Sequence, residues 1–139
     1  MVSSSRSRQH ARFSELSRRV IAGAGQSAAA LGHPTVTIGH LLLALLLEAR
    51  SPAAAALRAS GLDEARLRAS LAAPDAPLLV SIELVLARAP GEAQRLDSHY
   101  TGTEHLLLAL ALLPAGARLL RICGADAGAL AARVGGPQG

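Results

Sequence analysis

The stretch His40-Leu41-Leu42-Leu43-Ala44-Leu45 returns residue for residue as His105-Leu106-Leu107-Leu108-Ala109-Leu110, a separation of 65 residues. Identity at that spacing points to duplication of a whole structural unit. Upstream, the same spacing pairs Val20 with Val85, Ala22 with Ala87, Ala28 with Ala93 and Leu31 with Leu96. Downstream, Leu57, Gly61, Asp63 and Leu67 pair with Leu120, Gly124, Asp126 and Leu130 at a spacing of 63, so repeat two has lost two residues. The chain therefore reads as repeat one over 13–72, a linker over 73–77 around Pro74-Asp75-Ala76-Pro77, and repeat two over 78–135. Residues 1–12, rich in arginine and serine, and 136–139 read as flexible flanks.

Each copy divides into four helical stretches, which predicts an all-α domain of about eight helices. Ser14 suits the cap of a first helix reaching about Leu31, and Thr37 the cap of a second reaching about Ala49. Pro52 fits the first turn of a third helix, which Gly61 ends, and Asp63 caps a fourth that carries Leu67 and Leu71 on one face. Repeat two follows the same order, with Asp126 capping its last helix. The segments Leu41–Leu47 and Leu106–Leu113 are apolar almost all round, as expected of helices central to a bundle. Two such units would pack about a pseudo-twofold axis, each covering apolar surface the other exposes. Gly23 and Gly25 inside the first helix weaken it unless a neighbour approaches closely there.

Composition narrows the function. Half of the 139 residues are hydrophobic but only Phe13 and Tyr100 are aromatic, so the core is aliphatic. All 14 basic residues are arginines, and against 10 acids they give a formal charge of +4. Arg6, Arg8, Arg12, Arg18 and Arg19 gather near the start, yet no aromatic platform or base-reading motif accompanies them, which argues against a nucleic-acid partner. No apolar run approaches the roughly 20 residues needed to cross a bilayer, and no membrane partner is expected. A single cysteine, Cys123, cannot form an intrachain disulfide and fits a reducing cytoplasm.

The ordered motifs Leu31-Gly32-His33, Leu57 through Gly61 to Asp63, and Gly102-Thr103-Glu104-His105 followed by leucines resemble the duplicated N-terminal domain of Clp-type unfoldases, especially ClpC. The resemblance runs from Arg12 to Val134. It implies a domain that receives substrates and adaptor proteins for an ATPase ring and, in some ClpC members, binds phosphorylated arginine. The chain itself carries no Gly-x-x-x-x-Gly-Lys-[Ser/Thr] loop and no lysine, so it is expected to act as a stand-alone recognition domain, not as an unfoldase. The implied partners are proteins or peptides (Clp components, adaptors or degradation substrates), with phosphoarginine and cyclic peptides as small ligands. No cofactor is implied. The alternative is a helical scaffold that dimerises and has kept only the fold.

The resemblance also implies the site: in each repeat, a hydroxyl at the start of the first helix and the glutamate of Gly-Thr-Glu-His. Repeat one keeps the hydroxyl as Ser14, after Phe13, but has Gly39 at the glutamate position. Repeat two keeps Glu104 after Thr103, but Leu79, following Leu78, stands at the hydroxyl position. With Tyr100 these residues, Phe13, Ser14, Leu78, Leu79, Thr103 and Glu104, form the candidate ligand-binding set. Each has a structural alternative. Thr101-Gly102-Thr103-Glu104 fits a capping box closed by Glu104, Ser14 fits an N-cap, and Phe13 fits a hydrophobic staple. His33, His40, His99 and His105 lack the converging ligands of a metal site, and no nucleophile elbow or oriented base marks a catalyst.

Overall fold

The computed structural model describes residues 13–73 and 76–135, and they form eight α-helices. Repeat one contains α1 (Glu15–Ala30), α2 (Ile38–Leu47), α3 (Pro52–Ala59) and α4 (Glu64–Ala72). A 3-10 turn at Ala76–Leu79 leads into repeat two, with α5 (Glu83–Arg95), α6 (Thr103–Leu112), α7 (Pro114–Ile122) and α8 (Ala127–Val134). The flanks at 1–12 and 136–139, with Arg6, Arg8 and Arg12, and Pro74-Asp75 of the linker lie outside the described residues.

Local chemistry sets the helix ends. The side chains of Ser14, Asp63 and Asp126 accept hydrogen bonds from the backbone N–H groups of Ser17, Arg66 and Ala129, so three caps expected from sequence form. Pro52 and Pro114 open α3 and α7, where a missing N–H costs nothing. Gly61 and Gly124 follow α3 and α7 with φ of +83° and +90°, a region closed to most side chains. The two glycine turns meet near the pseudo-twofold axis, where the Asp63 N–H donates to the Cys123 carbonyl at 2.9 Å. The second helix ends two residues short of its expected limit, because Glu48 leaves helical geometry with ψ of 83°.

α2 and α6 form the centre. Their leucines Leu41, Leu42, Leu45, Leu106, Leu107 and Leu110 are fully enclosed, and each contributes about 1.5–3 kcal/mol by leaving water. In each repeat the second helix packs against the first, third and fourth, and α2 also contacts α6 across the axis. The turn from second to third helix is nearly the same in both halves, 96° between α2 and α3 and 98° between α6 and α7. No single helix among the described residues is long and apolar enough to cross a membrane. At Gly23 a Cβ would stand 3.7 Å from Ala44 on α2, an ordinary contact that does not require glycine. Gly25 has no neighbour within 4 Å, and nothing in the structure explains either glycine.

Candidate functional site

The start of each repeat crosses to the other repeat, placing the candidate residues at two pseudo-equivalent corners. At the first corner, the Thr101 carbonyl just before α6 accepts the Ser14 N–H at 3.0 Å and the Ser17 hydroxyl at 2.9 Å. Ser17 therefore has no proton left for Ser14, and the Ser14 hydroxyl donates to Ser17 Oγ at 3.0 Å while accepting the Ser17 N–H at 3.1 Å. Ser14 thus acts as a cap with its proton already committed. Phe13 beside it is buried in the core, and so is Thr103, whose hydroxyl has no hydrogen-bond partner among the described residues.

The capping box expected from Thr101 to Glu104 does not form. Gly102, not Thr101, is the N-cap of α6, which moves the returning side chain on by one residue. His105 takes that role, its Nδ1 accepting the Gly102 N–H at 2.9 Å. Repeat one does the same with His40, whose Nδ1 accepts the Thr37 N–H at 3.0 Å. Glu104 is consequently released from capping. It accepts no hydrogen bond among the described residues and is half-buried at the N-terminus of α6, where the helix dipole favours a carboxylate. It edges an open groove of about 400 Å³ between α3 and α8, lined by Pro52, Ala55, Ala56, Arg133 and Val134.

The second corner has a different character. At Gly39, the counterpart of Glu104, a Cβ would collide with Leu78 and stand 3.0 Å from Leu71 Cδ2. Leu78 is buried over the place a carboxylate would need, and Leu79 is 65% exposed beside it. Repeat two also starts its first helix one turn late, at Glu83, because residues 80–82 pair with 36–38 instead. The Ile38 N–H donates to the Val80 carbonyl at 2.9 Å and the Ile82 N–H to the Val36 carbonyl at 3.1 Å. The hydroxyl at this helix start is therefore Ser81, which accepts the Glu83 N–H at 3.1 Å, rather than a residue at Leu79. Together Leu71, Leu78 and Leu79 face His33, Thr37 and His40 across an apolar cleft of about 170 Å³.

The seven candidates therefore do not form one site. Leu78 and Leu79 line the repeat-one cleft, Glu104 edges the repeat-two groove, and Phe13 and Thr103 are interior. Tyr100 is 62% exposed and lines a separate small depression with Pro90 and His99. Sequence reasoning missed Ser81, Leu71 and Arg133; only Ser81 carried a signal, as a hydroxyl two residues before an acidic helix start.

The histidines are fixed by their donors. A backbone N–H can only donate, so His40 Nδ1 is unprotonated and its Nε2 carries the proton. That Nε2–H lies 2.9 Å from His33 Nδ1 and donates to it. A metal on His40 Nε2 would remove this proton and leave an imidazolate, so the arrangement suits a hydrogen-bonded pair. No group of three or more metal-ligating side chains occurs among the described residues. Burial, together with the repulsion that a protonated His33 would exert, holds His40 below the ordinary histidine value. Burial also lowers His105, against an opposing pull from Glu104 and Glu92.

The family model of the Clp repeat (R) N-terminal domain matches residues 12–76 and 80–136, one match over each four-helix unit. The chain belongs to this family. A crystal structure of the N-terminal domain of the caseinolytic protease associated chaperone ClpD from Arabidopsis thaliana superposes with a TM-score of 0.71 at 25% identity, covering 88% of this chain and 94% of that one. The Clp repeat domain is 34% identical over 108 residues to the negative regulator of genetic competence ClpC/MecB of Bacillus subtilis, covering 71% of this chain and 13% of that protein. Against an uncharacterized protein of Mycobacterium tuberculosis it is 34% identical over 123 residues, covering 83% of this chain and 49% of that protein. The chain thus spans about half or less of the length of these sequence relatives. It is a Clp N-terminal-type helical domain, related to the domains that bind substrates and adaptors in Clp chaperones.

Proposed function

We propose that this Clp repeat domain is a non-catalytic protein- and peptide-recognition module that modulates Clp-dependent degradation in the cytoplasm, as an adaptor or decoy. Its partners are Clp components, adaptors or tagged clients, and its contact residue is Glu104. The observation behind this reading is a half-buried carboxylate without a hydrogen-bond partner among the described residues, at the edge of an apolar-floored groove that also holds Arg133. A carboxylate in that state is available to a guanidinium, and the nearby arginine and helix N-terminus favour an attached anion. Phosphoarginine combines both charges.

Titration of the purified chain with phosphoarginine by calorimetry tests this reading. Glu104→Gln removes the charge with little change of shape and is expected to weaken binding by roughly 10- to 100-fold, matching about 1.5–3 kcal/mol for a charge-assisted bond. Equal affinity for the wild type and Glu104→Gln would remove Glu104 from the site, and no binding at all would dismiss phosphoarginine as the ligand.

A further inference from the structure

We propose that His33 and His40 form a proton-operated latch that holds the 32–36 loop over the apolar cleft of repeat one and releases it on acidification. The geometry follows from a chain of one-way donors. The Thr37 N–H donates to His40 Nδ1 at 3.0 Å, with the Thr37 hydroxyl 3.1 Å from the same nitrogen, and His40 Nε2–H donates to His33 Nδ1 at 2.9 Å. A proton added at His40 Nδ1 would face the Thr37 N–H. A proton added at His33 Nδ1 would face the His40 Nε2–H, and His40 cannot exchange tautomers because Thr37 already occupies its other nitrogen. A proton on His33 Nδ1 thus removes the lone pair that accepts the His40 Nε2–H and is relieved by separating the rings, whereas a proton on His40 Nδ1 breaks the Thr37 cap and leaves the ring–ring bond in place.

Separation has a defined structural consequence. His40 is anchored within α2, whereas His33 sits in the loop between α1 and α2, beyond Gly32 with φ of +72°. His33, Pro34 and Thr35 form one wall of the cleft, facing Leu71 of α4 and Leu78 and Leu79 of the 3-10 turn. Movement of His33 carries that wall away from the leucines. Among the described residues, no carboxylate lines the cleft beside the two rings. Among the same residues, the cleft lining from α4 and the 3-10 turn is Leu71, Leu78 and Leu79, and the ionisable group that bears on His40 is His33. Burial also keeps His40 neutral at neutral pH. Repeat two supplies an internal control: His105 makes the same cap bond, but Ser98 stands where His33 would be and donates to the Tyr100 carbonyl at 2.7 Å.

The test is NMR of the full chain from pH 7.5 to 5, following histidine ring nitrogens, leucine methyls and Thr37 amide exchange. At pH 7.5 both rings should be neutral Nε2–H tautomers. On acidification, the methyls of Leu71, Leu78 and Leu79 should shift together with the His33 ring nitrogens, and Thr37 exchange, corrected for intrinsic pH dependence, should rise at least tenfold as His40 Nδ1 takes up its proton. The Gly102 amide, capped by His105, should not share the midpoint of that rise. His33→Ala, a change in a partly exposed loop, should place those methyls near their acid positions already at pH 7.5. An Nδ1–H tautomer at either ring at pH 7.5, or leucine methyls that stay fixed while His33 and His40 titrate, would overturn the latch.

Discussion

The two halves share a backbone plan and differ in what occupies their corners. In repeat two the second helix begins with Gly102-Thr103-Glu104-His105, and its carboxylate edges an open groove. In repeat one the same place is Gly39, covered by Leu78 and Leu71, and the corner is an apolar cleft backed by two histidines. The first-helix faces differ in the opposite sense. Along α1, Gly23, Ser27 and Ala30 leave an open groove against α2, whereas their counterparts Arg88, Glu92 and Arg95 on α5 form a surface ion cluster. A duplicated core has therefore kept its leucines, whose packing allows little change, while surface positions diverged into one charged corner and one apolar corner.

Restoring the missing carboxylate is the most severe way to break this comparison. Gly39→Glu should not create a second site. Its side chain meets Leu78 and Leu71, and overpacking combined with burial of an unpaired charge should cost about 3 kcal/mol or more. Urea unfolding should show a clear loss of midpoint; an undiminished midpoint together with new ligand binding at this corner would mean the leucines move aside easily.

The two helix starts allow a gentler comparison. Ser14→Ala removes a cap and breaks the hydroxyl chain to Thr101, an expected loss of about 1–2 kcal/mol. Ser81→Ala removes one exposed bond at a later helix start and should cost at most about 0.5 kcal/mol. Denaturant midpoints of the two variants, measured side by side, check whether the swapped starts are as unequal as their bonding.

Acid should separate the halves further. His40 and His105 are both held below the ordinary histidine value, so the unfolded chain binds their protons more readily than the native chain. Their stabilising contribution is complete above about pH 6.5, the unfolded value, and is lost as pH falls from there toward the depressed native values. Stability curves of His33→Ala and the wild type between pH 7.5 and 5 should differ in slope. Superimposable slopes would show that the second histidine adds nothing to repeat one.

Much of the fold could be read from the repeated leucine stretch, because an all-apolar helix must be central and a duplicated one implies an axis. Ser14, Asp63 and Asp126 were legible as caps because a short polar side chain before a helix has one dominant use. The corners were less legible for specific reasons. A capping box places its returning residue three after the N-cap, so misplacing the cap by one residue, at Thr101 instead of Gly102, assigned that role to Glu104 rather than His105. Sequence spacing put the repeat-two hydroxyl at Leu79, because it could not show that residues 80–82 leave helix for pairing with 36–38. Phe13 is in the core, whereas an aromatic just before a helix reads from sequence as a staple or a partner contact, because position alone does not show what packs over the ring.

The central claim is that repeat two alone retains a charged recognition corner, and backbone amide mapping of phosphoarginine titrated into the wild-type chain tests it most directly. The account predicts shifts confined to the start of α6 and the facing parts of α3 and α8, near Glu104, Ala55 and Arg133, and their loss in Glu104→Gln. Shifts centred on Thr37 to His40 of repeat one, or an unchanged pattern in Glu104→Gln, would contradict it.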